Sequence, residues 1–288
     1  MPDEQLHWVD VDGAAHDLLT SATDVEVEWG VSGRHMPPVK LFEEEVPGQH
    51  GSRFREARFG PRDIALPITV KGSTPADLRA KVRAWATRFD PTRGAGTLRA
   101  TDTEGMQRQV TCRYAYGMEG QEVAENGLLW QRQVVVFRAN DPFWLDTSPI
   151  SDTWTVGEPA TFFPFFPLTL SSSEVFADVS VNNDGDVETW PSWTIVGPGS
   201  GLVLRNLTTG KVLSLTATLA AGDTVTIDTA PGVKTVVDAA GANLYSGLSS
   251  ISSLWSLARG ANRVHVELTG ASADSSVTMQ YQRRWLVV

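Results

Sequence analysis

Five histidines, His7, His16, His35, His50 and His265, are the first residues to test for chemistry. None stands at the His-Glu-x-x-His spacing that puts two imidazoles on one helix face around a zinc ion. The single cysteine, Cys112, excludes an intrachain disulfide and a cysteine-rich zinc site. Glu43, Glu44 and Glu45 are the right residue type for general acid and base work or for holding a cation. Three successive carboxylates are more often a solvated face, or a face that meets cations on a neighbouring copy. Arg53, Arg55, Arg58 and Arg62 follow closely in the sequence and form such a cluster.

Other short motifs fall away in the same manner. Asn182-Asn183-Asp184-Gly185-Asp186 begins like a calcium loop, but the twelfth position is Trp193 where a bidentate Glu is needed, so a hairpin turn is expected. Gly94-Ala95-Gly96 lacks the third glycine and the following helix of a dinucleotide site, and there is no Walker A motif. Ser200 has no G-x-S-x-G frame. Trp193 shares a strand face with Ile195 and reads as core, as does Trp255. Trp190 ends a turn and, with Tyr245, is the candidate for an exposed ring that stacks on a glycan. No catalytic, cofactor-binding or metal-ligating residue is assigned, and the chain is not expected to be an enzyme.

The composition bounds the remaining choices. Of 288 residues, 41% are hydrophobic and 20% charged, enough apolar material for one large domain or two ordinary ones. The net charge of −10 argues against gripping nucleic acid phosphates, which needs clustered Lys and Arg. It suits a wall past which DNA slides without sticking. Residues 1–12 are polar and acidic, without the basic and then apolar order of a signal peptide. No window approaches the roughly 18 apolar residues of a membrane span. The chain is therefore expected to be made and kept in a cytoplasm, with no membrane partner.

The elements that would position these residues are mostly strands. Residues 6–11 and 25–29 are strand candidates, and in the second Val25, Val27 and Trp29 alternate with Glu26 and Glu28 as on a half-buried strand. Residues 47–63, PGQHGSRFREARFGPRD, are poor in apolar residues and rich in glycine and arginine, so they read as a long loop or extended arm. A helix is expected over about 75–89. Thr74 is its N-cap, Pro75 fits its first turn, and Leu78, Val82, Trp85 and Phe89 share one face. A hairpin turning near residues 103–105 follows, then a strand over 130–139. Beyond residue 174 short strands recur at the spacing of a sandwich or barrel, the last over 277–287. The expected domains are 1–147, a Phe/Pro-rich linker at 148–173, and 174–288.

The order of these motifs resembles the distal tail proteins of siphophages, the bacteriophages with long non-contractile tails. An arm of the type PGQHG precedes FGPRDIALPITVKG and the STPADLRAKVRAWATRFDP helix. DPTRGAGTLRATDTEGMQRQV, then residues 116–120 and FRANDPFW follow, and NNDGDVETWPSWTIVGPG, LRNLTTGKVLSL, AGDTVTID and WSLARGANRVHVEL complete the series. Each motif is a turn or a strand end and weak alone, while their succession covers nearly the whole chain. The resemblance implies a mainly β protein: an N-terminal β-sandwich-like domain with one α-helix and a C-terminal galectin-like β-sandwich.

It also implies a structural role. The N-terminal domain would close into a hexameric ring at the distal end of the tail, joining the tail tube protein to the tail-tip hub or tail-associated protein. The C-terminal domain would offer a platform for receptor-binding parts of the baseplate, and the tape measure protein lies within reach. DNA would be only passing cargo, and the protein would be a virion component assembled in the host cytoplasm. The family has no catalytic residues or cofactors to carry over. Within this frame, the arm with Glu43–Glu45, His50, Arg53, Arg55, Arg58 and Arg62 is the expected subunit interface. Two readings compete: a carbohydrate-binding protein that holds host surface glycans through its C-terminal sandwich near Trp190 or Tyr245, and a secreted or cell-wall enzyme with an appended β-domain. The second lacks both a signal peptide and an acid/base constellation.

One stretch stands apart. In TFFPFFPLTL, residues 161–170, two prolines exclude a regular central strand and the rings are too apolar to leave in water. Phe162, Phe163, Phe165 and Phe166 are expected either to fill the junction between the two domains or to dock on a neighbouring protein.

Overall fold

Thr74 sets the start of the one α-helix among the described residues, Pro75–Phe89 (α1). Its hydroxyl accepts a hydrogen bond from the Asp77 amide at 3.1 Å, and the Asp77 carboxylate reaches back to the amide and hydroxyl of Ser73 at 2.7 and 2.9 Å. Three donors that a helix start would leave orphaned or solvated are thereby engaged. Leu78, Trp85 and Phe89 are buried on one face. Phe89 stands edge-on to Trp8 and Phe137, whose rings stack at 4.7 Å, so the helix is fixed to the sheet by aromatic packing.

The computed structural model describes residues 5–18, 25–120, 126–156 and 174–288. The chain forms two units, one of residues 1–147 with 285–288, the other of residues 148–284.

In the first unit the strands are β1 (Gln5–Val9), β2 (Ala15–Asp17), β3 (Val25–Val27), β4 (Val39–Glu44), β5 (Arg53–Phe59), β6 (Arg62–Lys71), β7 (Gly96–Thr101), β8 (Gln107–Tyr116), β9 (Trp130–Ala139) and β10 (Trp144–Asp146). One sheet runs in the order β2-β1-β7-β8-β9-β6-β3, with β10 on β8. The first half of β8 pairs with β7 and the second half with β9 across a bulge, so the sheet turns along that strand. On β6, Ile64, Leu66, Ile68 and Val70 alternate into the core. Strands β4 and β5 stand outside this sheet as a separate pair.

The second unit contains β11 (Ile150–Thr155), β12 (Glu174–Asn183), β13 (Ser192–Val196), β14 (Gly199–Asn206), β15 (Lys211–Leu219), β16 (Thr224–Asp228), β17 (Thr235–Asp238), β18 (Gly260–Thr269) and β19 (Ser276–Tyr281). Sheets β11-β19-β13-β16-β17 and β12-β18-β14-β15 enclose one core. Trp193, Ile227 and Met279 enter it from the first sheet, and Leu204, Leu213 and Val266 from the second. Trp193 and Trp255 are both fully buried, edge-on at 5.5 Å, and the Trp255 indole donates to the Leu204 carbonyl. With Trp285 the chain is back in the first unit, where the short strand β20 (Arg284–Trp285) pairs with β10. Among the described residues the fold is mainly β with a single α-helix.

Several elements differ from the sequence expectation. The segment read as an arm from 47 to 63 is the second half of a hairpin that begins at Val39, and Arg62 and Asp63 already belong to β6. The expected linker opens with strand β11, because Ser151 and Thr153 alternate with Asp152 and Trp154 and pair with β19. Phe162, Phe163, Phe165 and Phe166 lie outside the described residues. The expected strand 277–287 stops at Tyr281: Val277, Met279 and Tyr281 fill the second core, whereas Trp285 packs in the first. Trp29 is 84% exposed because β3 ends at Val27 and the chain turns at Gly30, whose φ of 103° is left-handed. Asn183, in the motif that began like a calcium loop, is buried; its side chain donates to Val187 and Leu257 carbonyls and accepts from the Gly185 amide, which locks a turn.

Candidate assembly surface

Every residue of β4 and β5 is exposed except Phe42, which is half-buried. The register of this hairpin places Val39 opposite Phe59, Leu41 opposite Ala57 and Glu43 opposite Phe54 on one face. Lys40 opposite Arg58, Phe42 opposite Glu56 and Glu44 opposite Arg53 make the other. Arg55 is the extra residue of a bulge between them. The hairpin is thus amphipathic. One face carries Val39, Leu41, Phe54, Ala57 and Phe59 with Glu43 at its end, and Leu41 is 56% and Phe54 60% exposed. On the other face Phe42 lies under the Lys40 ammonium and the Arg58 guanidinium, at 5.0 and 5.4 Å.

The hairpin gathers most of the residues expected at a subunit contact. Glu43, Glu44, Glu45, His50, Arg53, Arg55 and Arg58 are all exposed on it or in its turn. Two arginines already have partners there. Arg55 pairs with Glu44 across the strands, and Arg58 with Glu56 at 2.8 Å along β5. The hydrogen bond from Arg58 holds the Glu56 carboxyl below its ordinary pKa and raises that of Arg58. The sequence expectation does not include this apolar face, because no strand is expected over Val39-Lys40-Leu41. Its signal is the apolar alternation of Val39 and Leu41, repeated at Phe54, Ala57 and Phe59 once the bulge is allowed for.

Arg62 departs from the other arginines and is a correction to the expected interface. It is fully buried, so it has no surface to offer a neighbour. Its Nε donates to the Pro142 carbonyl at 2.6 Å, one Nη1 serves the Gly33 and His35 carbonyls at 3.0 and 2.6 Å, and Nη2 reaches the Leu286 carbonyl at 2.7 Å. Its guanidinium lies over the Trp144 ring at 5.8 Å. Burial pulls its pKa down to about 10, which leaves it charged at neutral pH. Gly33 makes this possible: its φ is +83° and a Cβ there would stand 1.9 Å from the Asp63 carbonyl oxygen.

A second exposed strip crosses the main sheet. On its outer face Pro67 is opposite Val134, and Tyr116 is opposite Val136; Val134 and Tyr116 are exposed, Pro67 is half-buried and Val136 is buried. Ion pairs Arg132–Glu28 and Arg138–Asp63 flank it. In the second unit, Trp190 is half-buried with the Arg284 guanidinium over its ring at 5.0 Å. Tyr245, in a single 3₁₀ turn, is the more accessible of the two candidate glycan contacts. Among the described residues no three His, Cys, Asp or Glu side chains gather as a metal site.

Comparison with known proteins places both units. Residues 33–125 match the phage tail protein RIFT-related domain, and residues 184–285 match the C-terminal domain of the siphovirus-type tail component. Among solved structures, the crystal structure of the SPP1 Dit protein, described as a paradigm of the hub adsorption apparatus in phages infecting Gram-positive hosts, is similar over 98% of both chains with a TM-score of 0.66 and 16% identity. A chain of the phage P2 baseplate in its activated conformation with Ca is similar over 99% of both chains, with a TM-score of 0.56 and 12% identity. No curated protein matches the chain. At such identities the likeness of structure carries the fold, while the two sequence families, in that order along one chain, carry the relationship. The chain therefore carries, in order, a phage tail protein RIFT-related domain over residues 33–125 and a siphovirus-type tail component C-terminal domain over residues 184–285.

Proposed function

We propose that this tail component is the subunit of a hexameric ring at the distal end of a siphovirus tail, between the tail tube and the tail-tip hub. The second unit is its outward platform for receptor-binding parts. The observation that carries the subunit contact is the apolar face of the β4–β5 hairpin. A two-stranded hairpin is marginally stable alone in water, and among the described residues this one has no third strand beside it. Covering Leu41, Phe54 and their neighbours with a second copy removes an exposed apolar patch and stabilises the hairpin at once.

A closed ring requires a heterologous contact, in which one surface meets a different one on the next copy. The strip at Pro67, Val134 and Tyr116 supplies a second surface of matching character. The role is structural rather than catalytic, and the particle is assembled in the host cytoplasm. The net charge of −10 suits a bore through which DNA passes.

The test is the oligomeric state of the purified chain, by mass measurement and negative-stain images, for the wild type and a Leu41→Glu/Phe54→Glu double variant. Rings in the wild type and folded monomers in the variant are the expected result. Rings that persist in the variant remove the hairpin from the contact, and a wild type that stays monomeric with the tail tube protein present removes the ring.

A further inference from the structure

We infer that residues 285–288 act as a clasp that fixes the root of the hairpin, so that the ring-forming arm is aimed only after the second unit has been synthesised. The inference rests on the reading of the hairpin as the subunit contact.

The geometry converges on Arg62. It immediately follows the hairpin, whose base is closed by the Gly60 amide donating to the Pro38 carbonyl at 2.7 Å and by the Phe59 ring edge-on to Phe143. Gly33 and His35, two of its acceptors, precede the hairpin on the entering side. The third, Pro142, comes from the loop before β10, and the fourth is Leu286. One buried guanidinium thus ties both roots of the hairpin to residues 285–288. All four acceptors are backbone carbonyls, so no side-chain charge from a neighbouring element replaces a missing one. A buried donor left without its acceptor costs the full desolvation of that group, so the root is complete only with Leu286 in place.

Residues 285–288 are held independently of Arg62. The Trp285 indole donates to Asp146 at 3.0 Å, Arg108 lies over the Trp285 ring at 4.2 Å, and an Arg108 Nη donates to the Val287 carbonyl at 2.7 Å. Trp285 and Val288 also pack against the first core. Between the hairpin and this segment the chain builds all of residues 148–284. A ribosome therefore releases the clasp only after the second unit, and a chain whose second unit is missing presents a loosened arm. Arg62 is a positioning residue for the hairpin, and Arg108 for the clasp.

Amide exchange read by mass spectrometry, at concentrations where the full chain is monomeric, tests the coupling. Arg108→Ala weakens the clasp from β8, a strand not paired with the hairpin. The expected result is about tenfold or more faster exchange in segments 33–44 and 53–60, with β7 and Ile64–Val70 unchanged and Cys112 still unreactive. Arg62→Lys, which keeps the charge but loses the fork, should raise the same segments, and the double variant should add little to either. Unchanged exchange at the hairpin root in Arg108→Ala overturns the clasp, as do additive effects of the two substitutions. If Arg62→Lys exposes Cys112, the unit has unfolded and Arg108→Ala alone decides. Faster root exchange in Arg108→Ala, together with rings that survive Leu41→Glu/Phe54→Glu, keeps the clasp and rejects the hairpin contact.

Discussion

Arg55 closes an ion pair with Glu44 across the two strands of one hairpin, so the arginine and glutamate runs of the arm meet within a single chain. Both side chains are about half exposed, with relative exposures of 54% and 49%, and exposed pairs contribute little. Arg55→Ala is expected to change unfolding free energy by less than about 1 kcal/mol in a denaturant titration. It should also leave the oligomer seen by mass measurement intact, in contrast to Leu41→Glu. Loss of the oligomer in Arg55→Ala would return the contact to the charged face.

The start of α1 gives a pH signature. The Lys81 ammonium, with the amide and hydroxyl of Ser73, holds the Asp77 carboxyl down to about 2 from an ordinary 3.8. A depressed acid stabilises the fold above its unfolded pKa, and that contribution is lost as pH falls through its folded value. Asp77→Asn should therefore be less stable than wild type at neutral pH. The gap should close as pH drops from about 4 towards about 2, followed by helix circular dichroism in denaturant.

Cys112 is a reporter for the first unit alone. It is buried in that unit's core, and burial pushes its thiol up to about 12, so the reactive thiolate is suppressed. Labelling by a thiol reagent at pH 8 should be negligible in the native chain. It should appear with the unfolding transition of the first unit. Fast labelling of native protein would contradict the packing of β8 against β7.

Trp193 serves the second unit in the same way. It is fully buried and touches Trp154 and Trp255. Trp193→Ala should destabilise the second unit by about 3–5 kcal/mol through lost burial and the cavity left behind. Thermal scans followed by tryptophan fluorescence should show that loss, while the temperature at which Cys112 becomes reactive stays near its wild-type value.

Much of this protein is local information. The Thr74 cap, Pro75 and the spacing of Leu78, Trp85 and Phe89 determine α1 before any tertiary contact forms, because capping and a 3.6-residue period are properties of a few neighbouring residues. The strands over residues 64–70, 192–196 and 263–268, the turn residues between them and the lack of any metal or nucleophile spacing likewise follow from the sequence alone, as does the resemblance of the ordered motifs to a tail component. The hairpin was only half legible: Glu43–Glu45 and the arginines stood out as charge, while the apolar face depends on a bulge at Arg55 that re-phases one strand. Arg62 was beyond sequence reasoning altogether. Its partners are carbonyls, which every residue carries, and they come from positions 33, 35, 142 and 286. Only the fold brings such distant backbone together, and it turned a presumed surface charge into the buried tie between the arm and residues 285–288.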